Sequence, residues 1–197
     1  MPGRQLPSEE DVRALVTRVV DSVASSNQPA VAPSAETGAP VSAAGKIAIG
    51  ADHGGFRLKE RIGFRLRETG REVVDCGTDS SEAVDYPDFA LAVAEKVASG
   101  ECVAGIVIDG AGIGSAMVAN KVAGVRAALC YDLSSARNSR EHNHANVLTL
   151  GAGLIGETLA WQIVEEWLAT PWGEGRHARR VAMIEALDAR RRMGEAV

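Results

Sequence analysis

Between residues 46 and 197, apolar residues form five short runs, each followed by a longer stretch with helical spacing. The runs are KIAIGA, EVVDCG, AGIVIDG, VRAALC and NVLTLG, and the helical stretches begin near Phe56, Pro87, Gly114, Ser134, Gly156 and Arg176. Apolar strands that alternate with helices are typical of βαβ units, whose parallel sheet is covered on both faces. The sequence therefore predicts an α/β fold, a single doubly wound domain around a five-stranded parallel sheet.

Residues 1–25 carry the pattern of one amphipathic helix. Its apolar positions are Val12, Leu15, Val16, Val19, Val20 and Val23, a spacing that places them on one helical face. Ser8 and Asp11 resemble a capping box at its start. Because about four turns are marginal alone in water, we expect this helix to lie on another surface. That surface is either its own domain or a groove on a partner protein.

Residues 26–45 separate this docking helix from the domain over 46–197. The segment from Ser25 to Gly45 has three prolines, one charged residue and many Ala, Ser and Gly residues. Such a composition buries too little apolar surface to offset the entropy of ordering, so it predicts a flexible linker.

Composition and charge exclude several classes of protein. No apolar run approaches the roughly 18 residues of a membrane span. The net charge of −5 argues against a nucleic-acid partner. Cys76, Cys102 and Cys130 are far apart and form no CxxC pair, which indicates reduced thiols and no zinc site. The opening residues have no apolar core typical of a secretory signal, so we expect a cytoplasmic location.

Polar and glycine-rich segments border the predicted strands. Asp52 and His53 follow the first strand, DGAGIG ends the third, REHN precedes the fifth and RHARR opens the last helix. Because doubly wound sheets bind ligands at the carboxyl ends of their strands, we expect these segments to share one edge.

Each segment also has a purely structural interpretation. The GAGIG segment either binds an oxyanion or phosphate through its backbone amides or is simply a tight turn. It does not follow the first strand, as a dinucleotide-binding fingerprint would, and it lacks the GK[ST] residues of a P-loop. Asp52 either contacts a ligand or caps a helix, and His142 is either catalytic or a histidine favoured by a helix C-terminus. Arg176 and Arg180 share a helical face, which suits a phosphate or a solvated basic stripe.

Five motifs together resemble the type B ribose-5-phosphate isomerases and the related galactose-6-phosphate isomerases. They are DHGGFRLKE, DYPDFA, GIVIDGAGIGSAMVANKVAGVRAAL, SREHNHANVLTLG and GRHARRV, in the family's order over about residues 46–192. The resemblance implies a Rossmann-like fold and a homodimer or dimer of dimers with active sites shared between subunits. It also implies aldose–ketose interconversion of a sugar phosphate without metal or cofactor.

The resemblance also implies roles for individual residues. His142 would open the furanose ring, and Asn143 would help to hold the enediolate. The glycine loop would form an anion hole whose backbone donors stabilise the oxyanion. The residues that would contact the substrate are Asp52, His53, Tyr86, Gly110, Ala111, Gly112, Gly114, Arg176 and Arg180.

Three departures from the family pattern bear on the mechanism. Asp109 stands where many members have the cysteine that moves the proton, and Ser115 stands where others have a glutamate base. Ala111 replaces a hydroxyl residue, and Gly153 replaces a phosphate-binding arginine. A carboxylate suits general base catalysis, so we expect Asp109 to take the role of the cysteine.

The expected reaction is the isomerisation of ribose 5-phosphate to ribulose 5-phosphate. Four- or six-carbon sugar phosphates are alternative substrates, and a non-catalytic sugar-phosphate-binding or scaffold subunit is an alternative function. The N-terminal helix and linker resemble the encapsulation peptides of bacterial microcompartments, which implies a shell protein as partner.

Overall fold

A computed structural model describes residues 40–42 and 44–193 of the chain. The predicted docking helix and most of the predicted linker lie outside these residues. The strands are β1 Ile47–Ala51, β2 Val73–Asp75, β3 Ala104–Asp109, β4 Ala127–Leu129 and β5 Val147–Gly151. The helices of the described part are α1 Phe56–Glu68, α2 Tyr86–Ala98, α3 Ile113–Ala119, α4 Leu133–Asn143, α5 Glu157–Ala169 and α6 Arg176–Arg192. The prediction of five strands is confirmed, and each predicted helix start is within one residue of the observed one.

The five strands form one parallel sheet in the order β2-β1-β3-β5-β4. The three central strands are buried along their whole length, as their apolar runs predict. Strand β2 pairs with one side of β1 and strand β3 with the other side, so the successive connections leave β1 in opposite directions and the topological switch point lies between β1 and β3. The carboxyl ends of these two strands therefore border the crevice in which such sheets bind ligands.

Apolar side chains cover both faces of the sheet. On one face, α1, α4 and α5 pack around the fully buried Trp167, whose indole Nε1 donates to the Ser139 hydroxyl at 3.1 Å. On the other face, α2 and α3 pack around Val93 and Val107. The doubly wound arrangement predicted from the alternation of strands and helices is confirmed. No helix in the described part is long and apolar enough to cross a membrane.

Candidate functional site

Asp52 lies directly after β1, in the turn that leads into α1. Its Oδ1 accepts a hydrogen bond from the Gly55 amide at 2.9 Å, and the residue is 8% exposed. A Cβ on Gly55 would lie 2.1 Å from the Ile108 carbonyl oxygen, so only glycine allows this turn to approach β3 so closely. The turn therefore holds the Asp52 carboxylate beside the end of β3.

The glycine loop that follows β3 lies tightly against β5. Gly112 has a φ of 76°, which favours glycine, and the Thr149 hydroxyl donates to its carbonyl at 2.9 Å. A Cβ on Gly151 would be 2.6 Å from the Ala111 carbonyl oxygen. The neighbouring strand thus fixes the path of the loop.

The Asp109 carboxylate turns into this loop. Its Oδ1 accepts from the amide of Ala111 at 2.8 Å and from the amide of Gly112, and its Oδ2 accepts from the amide and the hydroxyl of Ser115. The amide of Gly112, one of the three glycines predicted to form the anion hole with Gly110 and Gly114, is therefore directed at Asp109, together with the amide of Ala111. Within the described residues, the amides of Gly110 and Gly114 have no intramolecular acceptor.

Tyr86 and His53 lie next to the same loop. Tyr86 begins α2, and a Cβ on Gly114 would lie 2.7 Å from the tyrosine hydroxyl oxygen, so the ring covers this glycine. His53 Nδ1 lies 3.2 Å from both the amide and the carbonyl of Val84, two residues before Tyr86. The structure thus brings Asp52, His53, Tyr86, Asp109 and the glycine loop to the carboxyl edge of the sheet.

His142 and Asn143 lie at the opposite, amino edge. They end α4 just before Asn146, whose carbonyl accepts from Gly105 near the start of β3 and whose amide donates to Arg126 ahead of β4. The expectation of one shared edge is therefore wrong. Helices of a parallel sheet run opposite to its strands, so a helix that precedes a strand ends at the amino edge. Since β3 has six residues, the two edges are about 16 to 20 Å apart.

The amino edge carries its own cluster of functional groups. His142 stacks on His177 with ring centroids 4.1 Å apart, and Arg176 Nε lies 3.4 Å from His177 Nε2. Desolvation and the neighbouring His142 lower the pKa of His177 below its ordinary value of 6.5. Arg176 and Arg180 are exposed in the first turns of α6. The structure thus brings His142, Arg176 and Arg180 together with His177 at the amino edge.

Two residues of this cluster escaped the sequence analysis. His177 lies between Arg176 and Arg180 in the sequence, and this position is the only feature of the sequence that could have identified it as part of the cluster. Asn138 lies one helical turn before His142, and its Nδ2 is 2.9 Å from His142 Nδ1. Nothing in the described part gathers three or more His, Cys, Asp or Glu residues in a geometry that could hold a metal ion.

Comparisons with known proteins match the domain as a whole. Residues 47–184 match the family model described as Ribose/Galactose Isomerase. Ribose-5-phosphate isomerase B of Escherichia coli (strain K12) is 49% identical over 146 residues, which cover 74% of this chain and 98% of that protein.

Solved structures of similar proteins have the same fold. The ribose-5-phosphate isomerase B of Clostridium thermocellum matches with a TM-score of 0.73 and 52% identity, over 74% of this chain and 98% of that one. The ribose-5-phosphate isomerase B of Mycoplasma genitalium, solved with bound ribulose-5-phosphate, matches with a TM-score of 0.71 and 38% identity, over 73% of this chain and 96% of that one.

Proposed function

The chain belongs to the ribose/galactose isomerase family, and we propose how its residues interconvert ribose 5-phosphate and ribulose 5-phosphate. It is an aldose–ketose isomerase, and the ribose-5-phosphate isomerase B of Escherichia coli is 49% identical to it over nearly the full length of that protein. The observation that carries the mechanism is that two clusters of functional residues lie at opposite edges of one sheet.

Each complete active site is built from two copies of the chain. A five-carbon sugar phosphate is shorter than the separation of about 16 to 20 Å between the edges. It cannot contact Asp109 and His142 of the same chain together. A two-fold dimer that brings the carboxyl edge of one copy to the amino edge of the other creates two identical sites.

Arg176 and Arg180 of one copy bind the phosphate, and His142 beside them assists the opening of the furanose ring. Two guanidinium groups on one helical face are suited to the phosphate oxygens. The binding energy of the phosphate orients carbons C1 and C2 of the open sugar against the glycine loop of the other copy.

Asp109 of that other copy then moves one proton between C2 and C1. The C2–H bond breaks, its electron pair forms the C1–C2 double bond, and the C1 carbonyl oxygen becomes the enediolate oxygen. The free amides of Gly110 and Gly114, with Asn143 from the first copy, stabilise this charge. The proton of the C2 hydroxyl passes to the C1 oxygen, Asp109 returns its own proton to C1 as the C1–C2 double bond is lost, and the C2 ketone forms.

Complementation between two inactive variants tests the shared site. Asp109→Asn and His142→Asn should each lose turnover of ribose 5-phosphate while they still bind it. Co-expressed, they should recover about a quarter of wild-type activity, because half of the dimers are mixed and each mixed dimer has one intact site. No recovery from mixed dimers that form would contradict the shared site.

The identity of the base has a separate test. Asp109→Cys should remain active, because a thiolate at this position can also accept the C2 proton. Four- and six-carbon sugar phosphates assayed in parallel define the preferred chain length. If the folded wild-type protein binds sugar phosphates without turnover, its role is that of a binding or scaffold subunit.

The N-terminal segment supports a second proposal, that the cytoplasmic enzyme is directed to a microcompartment shell. The support is the amphipathic pattern of residues 1–25 and the composition of residues 26–45. Removal of residues 1–39, which keeps the buried Val41 and its hydrogen bond to the Leu168 carbonyl, should leave turnover unchanged and abolish co-purification with a shell protein. Loss of folding would instead mean that the helix belongs to the domain.

A further inference from the structure

The Asp109 carboxylate has four hydrogen-bond donors, and one of them differs in kind from the others. We propose that Ser115 is a positioning residue for the Asp109 base: its hydroxyl holds Oδ2 before reaction and is the donor that turns away when Oδ2 takes the substrate proton. This inference rests on the proposed function of Asp109.

The four donors occupy both oxygens of the carboxylate. Oδ1 receives the amides of Ala111 and Gly112, and Oδ2 receives the amide of Ser115 at 3.1 Å together with the Ser115 hydroxyl. An ionised carboxylate has about four lone-pair positions. All of them are therefore in use, and none is open to a substrate proton.

Three of these donors are backbone amides that cannot turn away independently. The glycine loop fixes the amides of Ala111 and Gly112, because the Thr149 hydroxyl donates a hydrogen bond to the Gly112 carbonyl. The amide of Ser115 belongs to the first turn of α3, where Ala116 donates to the Gly112 carbonyl at 3.2 Å. Moving any of the three would distort the loop or the helix.

The Ser115 hydroxyl is the donor on rotatable bonds. It can turn about the Cα–Cβ bond between staggered positions while the Ser115 amide stays in place. Rotation therefore opens one lone pair of Oδ2 without disturbing the backbone. Ser115 is fully buried, and Asp109 is 5% exposed, so water does not readily take the place of the hydroxyl.

Substitution of Ser115 tests this role. Ser115→Ala should reduce kcat for ribose 5-phosphate roughly tenfold with little change in KM, because Oδ2 then keeps only the bond of 3.1 Å from the Ser115 amide and the carboxylate is held less firmly in its productive orientation. Ser115→Thr, which keeps the hydroxyl, should recover most of the loss. The matched control is Ser139→Ala, which removes another buried serine hydroxyl, the acceptor of the Trp167 indole, and should leave kcat unchanged.

A second background separates positioning from general damage to the loop. In Asp109→Cys there is no Oδ2 to hold, so adding Ser115→Ala should change kcat no more than about twofold. The same tenfold loss in that background would overturn the proposal, as would a normal kcat in Ser115→Ala alone. Full activity of Asp109→Asn would contradict both the proposed base and this inference. If Asp109→Asn is inactive and Ser115→Ala has the wild-type kcat, only the role of Ser115 is contradicted.

Discussion

The imidazole rings of His142 and His177 are stacked, with centroids 4.1 Å apart and planes 4° apart. His142 ends α4 and His177 lies in the first turn of α6, so the stack joins two helices at the amino edge. The His177 ring also lies against Arg176. The residue proposed to open the sugar ring is therefore connected, through His177, to an arginine proposed to bind the phosphate, and the sequence did not single out His177.

Loss of the stack should affect ring opening more than proton transfer. In His177→Ala, we expect kcat for ribose 5-phosphate to fall roughly tenfold, because the His142 ring loses the contact that fixes its plane. Ribulose 5-phosphate has no furanose ring, so its conversion should fall much less. Initial rates in both directions measure the difference.

The aromatic variant His177→Phe is the control for this prediction. It keeps a flat ring against His142 and should retain most of the activity with ribose 5-phosphate. Equal losses in both directions for His177→Ala would contradict a role in ring opening and would instead indicate damage to the phosphate site.

Gly114 and Tyr86 should show strong coupling. A methyl group in Gly114→Ala would lie 2.6 Å from Tyr86 Cζ, so the tyrosine ring must move off the loop. Because the ring is 38% exposed, it can swing outward, and we expect loss of activity with little loss of stability. In a Tyr86→Ala background, the added effect of Gly114→Ala on kcat/KM should be small. Additive losses in the double variant would contradict this contact.

The central strands and the starts of the helices could be predicted because their signals are local. The runs around Ile49 and Ile106 are apolar along the strand interior, and Thr149 is the one polar residue within the run around Leu148, as is typical of strands buried on both faces. The edge strands β2 and β4 are shorter than their apolar runs, with three residues each. Their length depends on how far the neighbouring strand offers partners, which is not a local property of the sequence.

The site was harder to predict because it depends on the direction in which each helix runs relative to the strands and on the orientation of individual side chains. The position of His142 follows from topology alone, since α4 precedes β5 and must end at the amino edge. The orientation of Asp109 does not follow from topology. It depends on a loop whose amides converge on the carboxylate, and that convergence requires the left-handed backbone of Gly112 and the first turn of α3.

Lys59 should contribute measurably to stability. Its ammonium group is 2% exposed and contacts both carboxylate oxygens of Asp75 at 2.7 and 3.0 Å and the Thr78 carbonyl at 2.9 Å, which ties α1 to the end of β2. Lys59→Met should lower the free energy of unfolding by about 2 kcal/mol, since Asp75 keeps some access to water. Urea denaturation measures this change.

The control for Lys59 is an exposed ion pair at the opposite, amino edge of β1 and β2. Lys46 and Glu72 form an ion pair of 2.9 Å, with side chains 45% and 64% exposed. Lys46→Met should therefore change stability much less than Lys59→Met does. An equal loss in the two variants would contradict the special contribution of the buried lysine.

His144 should make the folded protein sensitive to acid. It ends α4 with a φ of 51°, is 5% exposed, and its Nε2 lies 2.7 Å from the Gly173 carbonyl. Burial lowers the pKa of His144 below 6.5, and the charges of Arg126 and Arg140 act in the same direction, against the hydrogen bond to Gly173. The unfolded chain therefore takes up a proton at a higher pH than the folded one.

The stability linked to His144 is fully present above pH 6.5 and is lost as the pH falls from there towards the lowered pKa of the folded state. His144→Asn removes this titration, and asparagine tolerates the left-handed backbone. Its free energy of unfolding should therefore fall less between neutral pH and pH 5.5 than that of the wild type. His177, whose pKa is also lowered, accounts for a remaining dependence that His144→Asn/His177→Ala should remove. Identical pH profiles for the wild type and His144→Asn would show that His144 titrates alike in the folded and unfolded chain.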